Sequence, residues 1–410
     1  MNKNSLLGLI AVAAILGGLA YMKSNKGGTS RSANAKLAGE KLLPDLTTEV
    51  ANSITEIEFQ SADQTTTLKK SGDNWVASSL HNYPVDFKQV KGFITAVFDQ
   101  KIGQTQSANE AQRRELQLMD PTTASEADKG DAGTKVTLKA GEKVVGSFII
   151  GTGLKAASQG PSGFGGMGGG RGQYIQTANG DVVLISGSFS QAGRKSLDWA
   201  TTELMRLPQT QVTSVTVSGP GHQKVELAKD KESGKFTLTD LPKGKEAVES
   251  EINGLVNALS YLSIAGVADP KLSDGDLGFD KAISYVSRAN NGLSYTVLVG
   301  GKAPESDGRL IRIKCDYKPE TQEPEKPADD ADEAKKTAYQ NQLARIKEEQ
   351  DRLSKQAADF NAKHGPWTYT IATFKADSLL KKHNTLFKDP EPEEPAAENS
   401  PALPAPKPAP

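Results

Sequence analysis

The chain has 410 residues, 36% of them hydrophobic, with 49 Lys and Arg against 50 Asp and Glu and a net charge of −1. That length fits two or three domains, and the balanced charge supplies no overall field for nucleic acid or acidic partners. A single cysteine, Cys315, excludes an internal disulfide framework and a multi-cysteine zinc site.

In chain order, Ser5 to Met22 is apolar and uncharged. As a helix it would rise about 27 Å, close to the thickness of a bilayer core. A cleaved signal peptide needs small residues at a cleavage site soon after the apolar stretch. Ala33-Asn34-Ala35 comes only after Lys23, Lys26 and Arg31. The expectation is therefore an uncleaved transmembrane anchor at 5–22, a flexible tether at 23–45, and the bulk of the chain exported.

Residues 46–208 read as a first α+β domain. Ile54-Thr55-Glu56-Ile57-Glu58-Phe59 alternates, which marks a strand with one buried face. A second strand ends near Trp75-Val76. Asp86 then follows Tyr83-Pro84 as the N-cap of a helix whose stripe is Phe87, Val90, Ile94 and Val97. The Gly-rich run at 160–172 has neither the Gly-Lys-Ser/Thr of a P-loop nor a helix after it, so it reads as a hairpin loop. Ser196 to Met205 reads as a short closing helix.

Residues 211–388 repeat the pattern as a second α+β domain. Val212 to Val217 mirrors the opening strand at an offset of 158. Val248, Ile252, Leu255, Leu259 and Leu262 form the helix stripe, with Gly254 matching Gly92 at an offset of 162. Glu115–Leu118 matches Asp276–Phe279, and the hairpin Val136–Gly151 matches Tyr285–Gly300. Cys315 sits in an alternating run and reads as a buried strand residue. The expected fold is α+β: two related domains, each a mostly antiparallel sheet packed against a helix.

The second domain carries an inserted charged helical arm at 331–363. Tyr339, Leu343, Ile346, Gln350, Leu353, Ala357 and Phe360 are spaced as a heptad seam. The seam either packs back on its own domain or pairs with a partner, and Tyr339, Leu343, Ile346, Leu353 and Phe360 are the candidate partner-binding residues. Residues 389–410 are rich in proline and poor in bulky apolar side chains, as in a disordered tail.

Chemistry is sparse. His81, His222, His364 and His383 lack a second His or Cys at metal-ligand spacing, and there is no HExxH or GxSxG. Ser378-Leu379-Leu380-Lys381 fits SxxK, but the helix face made by Leu379 and Leu380 gives it a packing explanation. No catalytic, cofactor or metal residue is assigned, no cofactor is expected, and no basic–aromatic platform for nucleic acid is present.

The Ile54–Ile57 opening, the Gly72-Asp73-Asn74-Trp75 turn, the Tyr83-Pro84-Val85-Asp86 helix entry and the acid-Leu-x-Leu/Phe elements together resemble a bacterial family, domain of unknown function 4340. The resemblance covers most of Leu46 to Lys388. It implies a single-pass protein of the bacterial inner membrane with its bulk in the periplasm. It also implies kinship with auxiliaries of ABC-type export systems related to gliding motility. The expected function is a non-enzymatic, membrane-anchored binding or assembly subunit with a protein partner in the cell envelope. The alternatives are a carbohydrate- or lipid-binding envelope module, signalled by exposed aromatics such as Trp75 or Trp199 lining a cleft, and an unrecognised hydrolase.

Overall fold

The computed structural model describes residues 38–154, 172–304, 306–319, 324–328 and 332–390. The expected anchor at 5–22, nearly all of the Gly-rich loop and the tail from 391 onward lie outside them. The chain divides into two compact units, with the boundary in sequence between Ala200 and Thr201. It is α+β, and its sheets are mostly antiparallel.

The first unit contains α1 (Thr48–Asn52), β1 (Glu56–Gln60), β2 (Thr65–Ser71), β3 (Asn74–Ala77), β4 (Tyr83–Pro84) and α2 (Phe87–Asp99). It continues with β5 (Ile102–Gln106), α3 (Glu110–Glu115), β6 (Thr134–Ala140), β7 (Lys143–Gly153), β8 (Gln173–Thr177) and β9 (Val182–Ile185). Nine strands pair in the order β4-β3-β2-β1-β6-β7-β8-β9-β5. The alternation in β1 sends Ile57 and Phe59 inward and leaves Glu56 on the other face. There Glu56 bridges Lys69 at 3.1 Å and Lys139 at 2.8 Å, tying three adjacent strands. Val90, Phe93 and Val97 of α2 cover the inner face. Phe93 meets Phe59 edge-on at 4.9 Å, and Trp199 stacks on Phe59 at 5.1 Å. As expected, Asp86 caps α2, accepting from the Lys88 amide at 2.9 Å.

The second unit contains β10 (Glu203–Met205), β11 (Val212–Gly219), β12 (His222–Lys229), β13 (Phe236–Leu238), β14 (Glu246–Ala247), α4 (Glu249–Val256), β15 (Leu262–Ser263) and β16 (Gly266–Val267). It continues with β17 (Ile283–Ala289), β18 (Leu293–Lys302), β19 (Arg309–Tyr317), α5 (Glu333–His364), β20 (Tyr369–Ile371), α6 (Thr373–Leu379) and β21 (Phe387–Lys388). Its main sheet runs β13-β12-β11-β17-β18-β19-β20-β16.

Substituting strand for strand, this is the order β3-β2-β1-β6-β7-β8-β9-β5 of the first unit. The registers correspond too. Phe59 faces Val136, which faces Phe148; Val217 faces Tyr285, which faces Val297. Each unit also turns a left-handed corner after a leucine, at Gln117 (φ 52°) and at Gly278 (φ 69°). In both, that leucine's carbonyl accepts an amide of the long hairpin at 2.8 Å: Leu116 from Thr152, and Leu277 from Gly301.

Several expectations need correction. The presumed closing helix is one 3-10 turn, Ser196–Trp199, followed by strand β10, because Trp199 is drawn into the aromatic core. The second helix stripe is broken: α4 ends at Val256, a 3-10 turn follows, and Leu262 lies in β15. The expected tether at 23–45 overlaps the folded unit, since Leu42 is buried and Leu42 N bonds Gln100 O at 2.8 Å. Phe87, expected to cover the sheet, is 58% exposed.

The insertion falls between β19 and β20. β20 pairs with β19 only at Arg309 to Ile311, so the rest of that edge needs another partner. α5 supplies it. The Asn361 side chain accepts from the Cys315 amide at 2.8 Å and donates to the Cys315 carbonyl at 2.7 Å, replacing a strand's pair of bonds. His364, 2% exposed, lies against Phe360 and shares a 2.9 Å hydrogen bond with the Tyr369 hydroxyl.

Replacing Asn361 with Ala strands one donor and one acceptor, a loss of about 2 kcal/mol. Hydrogen exchange of the β19 peptide should then be roughly thirtyfold faster than in the unaltered protein. A second prediction concerns acid. Burial, with the Lys363 ammonium nearby, holds the His364 imidazole down to about pKa 4. Below pH 6.5 the unfolded chain takes up a proton that the folded one refuses, so stability falls as pH drops from 6.5 towards 4. Between pH 7.5 and pH 5 this contribution amounts to about 2 kcal/mol. Urea unfolding at the two pH values should show that slope reduced by this amount in His364→Gln.

Candidate functional site

The residues expected to face a partner divide between two roles along α5. Leu353 is 2% exposed, and Phe360 packs on Tyr295 of β18 with ring centroids 5.6 Å apart. These two are held by their own unit, which corrects their assignment to a partner. Tyr339, Leu343 and Ile346 are half-exposed, one helical stripe on the N-terminal half of α5. Ile346 lines a shallow groove with Asn290, Asn291 and Tyr317.

The residues singled out for chemistry do not assemble into a reactive group. Ser378 donates to the Phe374 carbonyl within α6 at 2.9 Å, and Lys381 pairs with Glu251. Cys315 is buried and its thiol is pushed up to about pKa 11, chiefly by that burial, which leaves it protonated. His222 and His383 bond or face carbonyl and carboxylate oxygens, with His383 Nε2 2.9 Å from Asp240. Among the described residues no group of three or more His, Cys, Asp or Glu is placed to hold a metal. No described helix is long and apolar enough to cross a membrane.

A cleft of 580 Å³ lies in the first unit, within the roughly 300–1,000 Å³ of small-molecule sites. One wall is α2. Phe87, Lys91, Ile94, Thr95, Phe98 and Asp99 recur at helical spacing and share a side. Opposite stand Thr48, Ala51 and Asn52 of α1, with Ile54 and Trp75 as the floor and Lys70 and Asp73 at the rim. The Asp86 cap starts α2 one residue before Phe87, which puts that ring in the first turn, at the mouth of the cleft. Trp75 is only 5% exposed, so its ring serves as floor and core at once. Two cations and two anions therefore surround an apolar slot. Among the described residues none of the four charged side chains is bonded to an opposite charge.

The equivalent place in the second unit is shut. Following the shared register, Gln209 stands at the position of Ala51, Asn253 at that of Lys91 and Asn257 at that of Thr95. The Gln209 amide donates to Asn253 at 3.0 Å and accepts from Asn257 at 3.1 Å. Lys229, the counterpart of Lys70, reaches the Thr210 carbonyl at 3.4 Å. Glu249 and Ser260 replace the apolar Phe87 and Phe98.

The cleft draws on three separated segments, 48–54, 70–75 and 87–99, which is why no single stretch of sequence announced it. One local signal was present: Phe87 and Phe98 sit on the flank of α2 beside lysine and aspartate, off the Val90–Phe93–Val97 line that fills the core. The mismatch between Ala51 and Thr95 and their glutamine and asparagine counterparts was a second.

A family profile described as Domain of unknown function (DUF4340) matches residues 75–282, just over half of the chain. No curated protein matches the sequence, and no solved structure does. With its features placed and that match in hand, the chain belongs to the DUF4340 family.

Proposed function

We propose that this protein is a non-enzymatic, membrane-anchored assembly subunit of the bacterial cell envelope, built from two copies of one sheet-and-helix module and auxiliary to an ABC-type transport system. The observation that carries the reading is the way α5 is mounted. Asn361, Leu353, Phe360 and His364 fasten its C-terminal half to the second unit. A helix clamped at one end presents the Tyr339–Leu343–Ile346 stripe without a further ordering cost, the condition under which a few apolar anchors dominate binding. The equal strand order and register of the two sheets support descent from one module. The apolar run at 5–22 and the family membership support placement at the inner membrane, with the body in the periplasm.

A second reading, a lipid- or carbohydrate-binding envelope module, is favoured by one observation: an exposed aromatic, Phe87, lines an open cleft, although Trp75 in the same cleft and Trp199 are both buried. The two readings are compatible, since stripe and cleft occupy different units.

Mild crosslinking in native membranes, followed by purification, tests the assembly reading. The unaltered protein should yield a discrete crosslinked species containing an envelope protein. Leu343→Asp with Ile346→Asp should reduce it about tenfold or more, while hydrogen exchange of β19 stays unchanged. Only uncrosslinked monomer, or the same species in the double variant, contradicts the reading.

A further inference from the structure

We propose that the cleft of the first unit holds a membrane phospholipid, with one acyl chain along Trp75 of the floor and Ile94 and Phe98 of the α2 wall, and a zwitterionic headgroup at the rim. The inference deepens the lipid-binding reading and uses the anchor at 5–22 for its concentration argument. Three observations carry it.

The first is charge. Lys70 and Lys91 present two cations, and Asp73 and Asp99 present two anions, with no ion pairs among them. A headgroup that carries both a phosphate and an ammonium meets both signs at once. A neutral glycan would leave four charges to be partly desolvated without a charged partner. A purely anionic headgroup would face two carboxylates.

The second is the comparison between the units. The same fold, at the same place, is closed in the second unit by the Gln209–Asn253–Asn257 hydrogen bonds. The first unit has Ala51 and Thr95 there, too short to bridge the gap, and carries phenylalanine where the second has glutamate and serine. An open, apolar version of a slot that three polar side chains suffice to seal is the arrangement a ligand requires. Phe87, an exposed aromatic at the mouth, is suited to the boundary between acyl chain and headgroup.

The third is reach. The described chain begins at residue 38 against this cleft: Leu42 is buried in the core, and the Lys41 ammonium lies 3.5 Å over the Phe98 ring. The apolar run ends at Met22. The intervening backbone spans at most about 55 Å when fully extended. An anchored chain therefore keeps the cleft close to a bilayer surface, where lipid is at high effective concentration.

The test uses the full chain in vesicles of phosphatidylethanolamine that carries a photoactivatable acyl chain. After irradiation, the labelled peptides are identified by mass spectrometry. Label should fall on the 87–99 peptide and on the segment containing Trp75. Ala51→Gln with Thr95→Asn, which transplants two of the three sealing side chains, should lower that label about tenfold or more, with the labelling of 5–22 unaffected. Phe87→Ser with Phe98→Ser, at exposed or half-exposed sites, should do the same should the first pair fail to fold. Unlabelled phosphatidylethanolamine should compete better than phosphatidylglycerol or an alkyl glucoside of equal chain length. Label confined to 5–22, label undiminished in both variants, or equal competition by the glucoside overturns the proposal. A failed anchor reads out separately, as protein that washes off the vesicles at high pH.

Discussion

The pairing of β1 with β6, and of β11 with β17, is the constraint on which the rest depends. Side chains in a strand alternate between faces, so a slip of one residue would exchange the core set for the solvent set. With Phe59 opposite Val136, both point under α2, where Phe93 and Trp199 close on Phe59. With Val217 opposite Tyr285, that tyrosine lies beneath α4 and donates from its hydroxyl to the Leu255 carbonyl at 2.9 Å. Outside, the same register sets Glu56 between Lys69 and Lys139. These part-buried pairs lie on the face away from the core; their consistent placement follows from the packing of the inner face.

Much of this was legible because it is periodic. Ile57 and Phe59, and Val215 and Val217, announce one-sided strands; Asp86 announces a helix start; the matched segments, which follow in the same sequence in both halves at offsets of 149 to 162, announce a shared order of elements. What escaped was decided by contacts distant in sequence. Trp199 ends a predicted helix early because an aromatic core claims it. Leu42 belongs to the fold because β5 offers an edge for the segment before α1. Phe87 falls on the helical stripe by spacing, yet the sheet does not extend beneath it. The cleft could not be read as a motif, since its lining comes from α1, the β2–β3 hairpin and α2.

The insertion shows how one seam serves two ends. β19 outruns β20, and an uncovered strand edge invites unwanted pairing. α5 covers that edge with Asn361, whose amide reproduces a peptide's donor and acceptor. The heptad spacing continues past Ile346, which lies beside Tyr317 at the end of β19, through Leu343 to Tyr339. The sequence pattern was uniform, and the difference in role arises from where β19 stops.

The two units thus share an order of strands and differ at one place, where a short segment before the first strand faces the helix. Small residues there leave a slot in the first unit; glutamine and asparagine close it in the second. Crystallographic coordinates of the protein would measure this most directly. The account predicts sheets that superpose strand for strand, an open slot between 48–52 and 87–99, and Gln209 bonded to both asparagines. A slot collapsed by Phe87 folding over Trp75, or an equal opening beside Gln209, would contradict it.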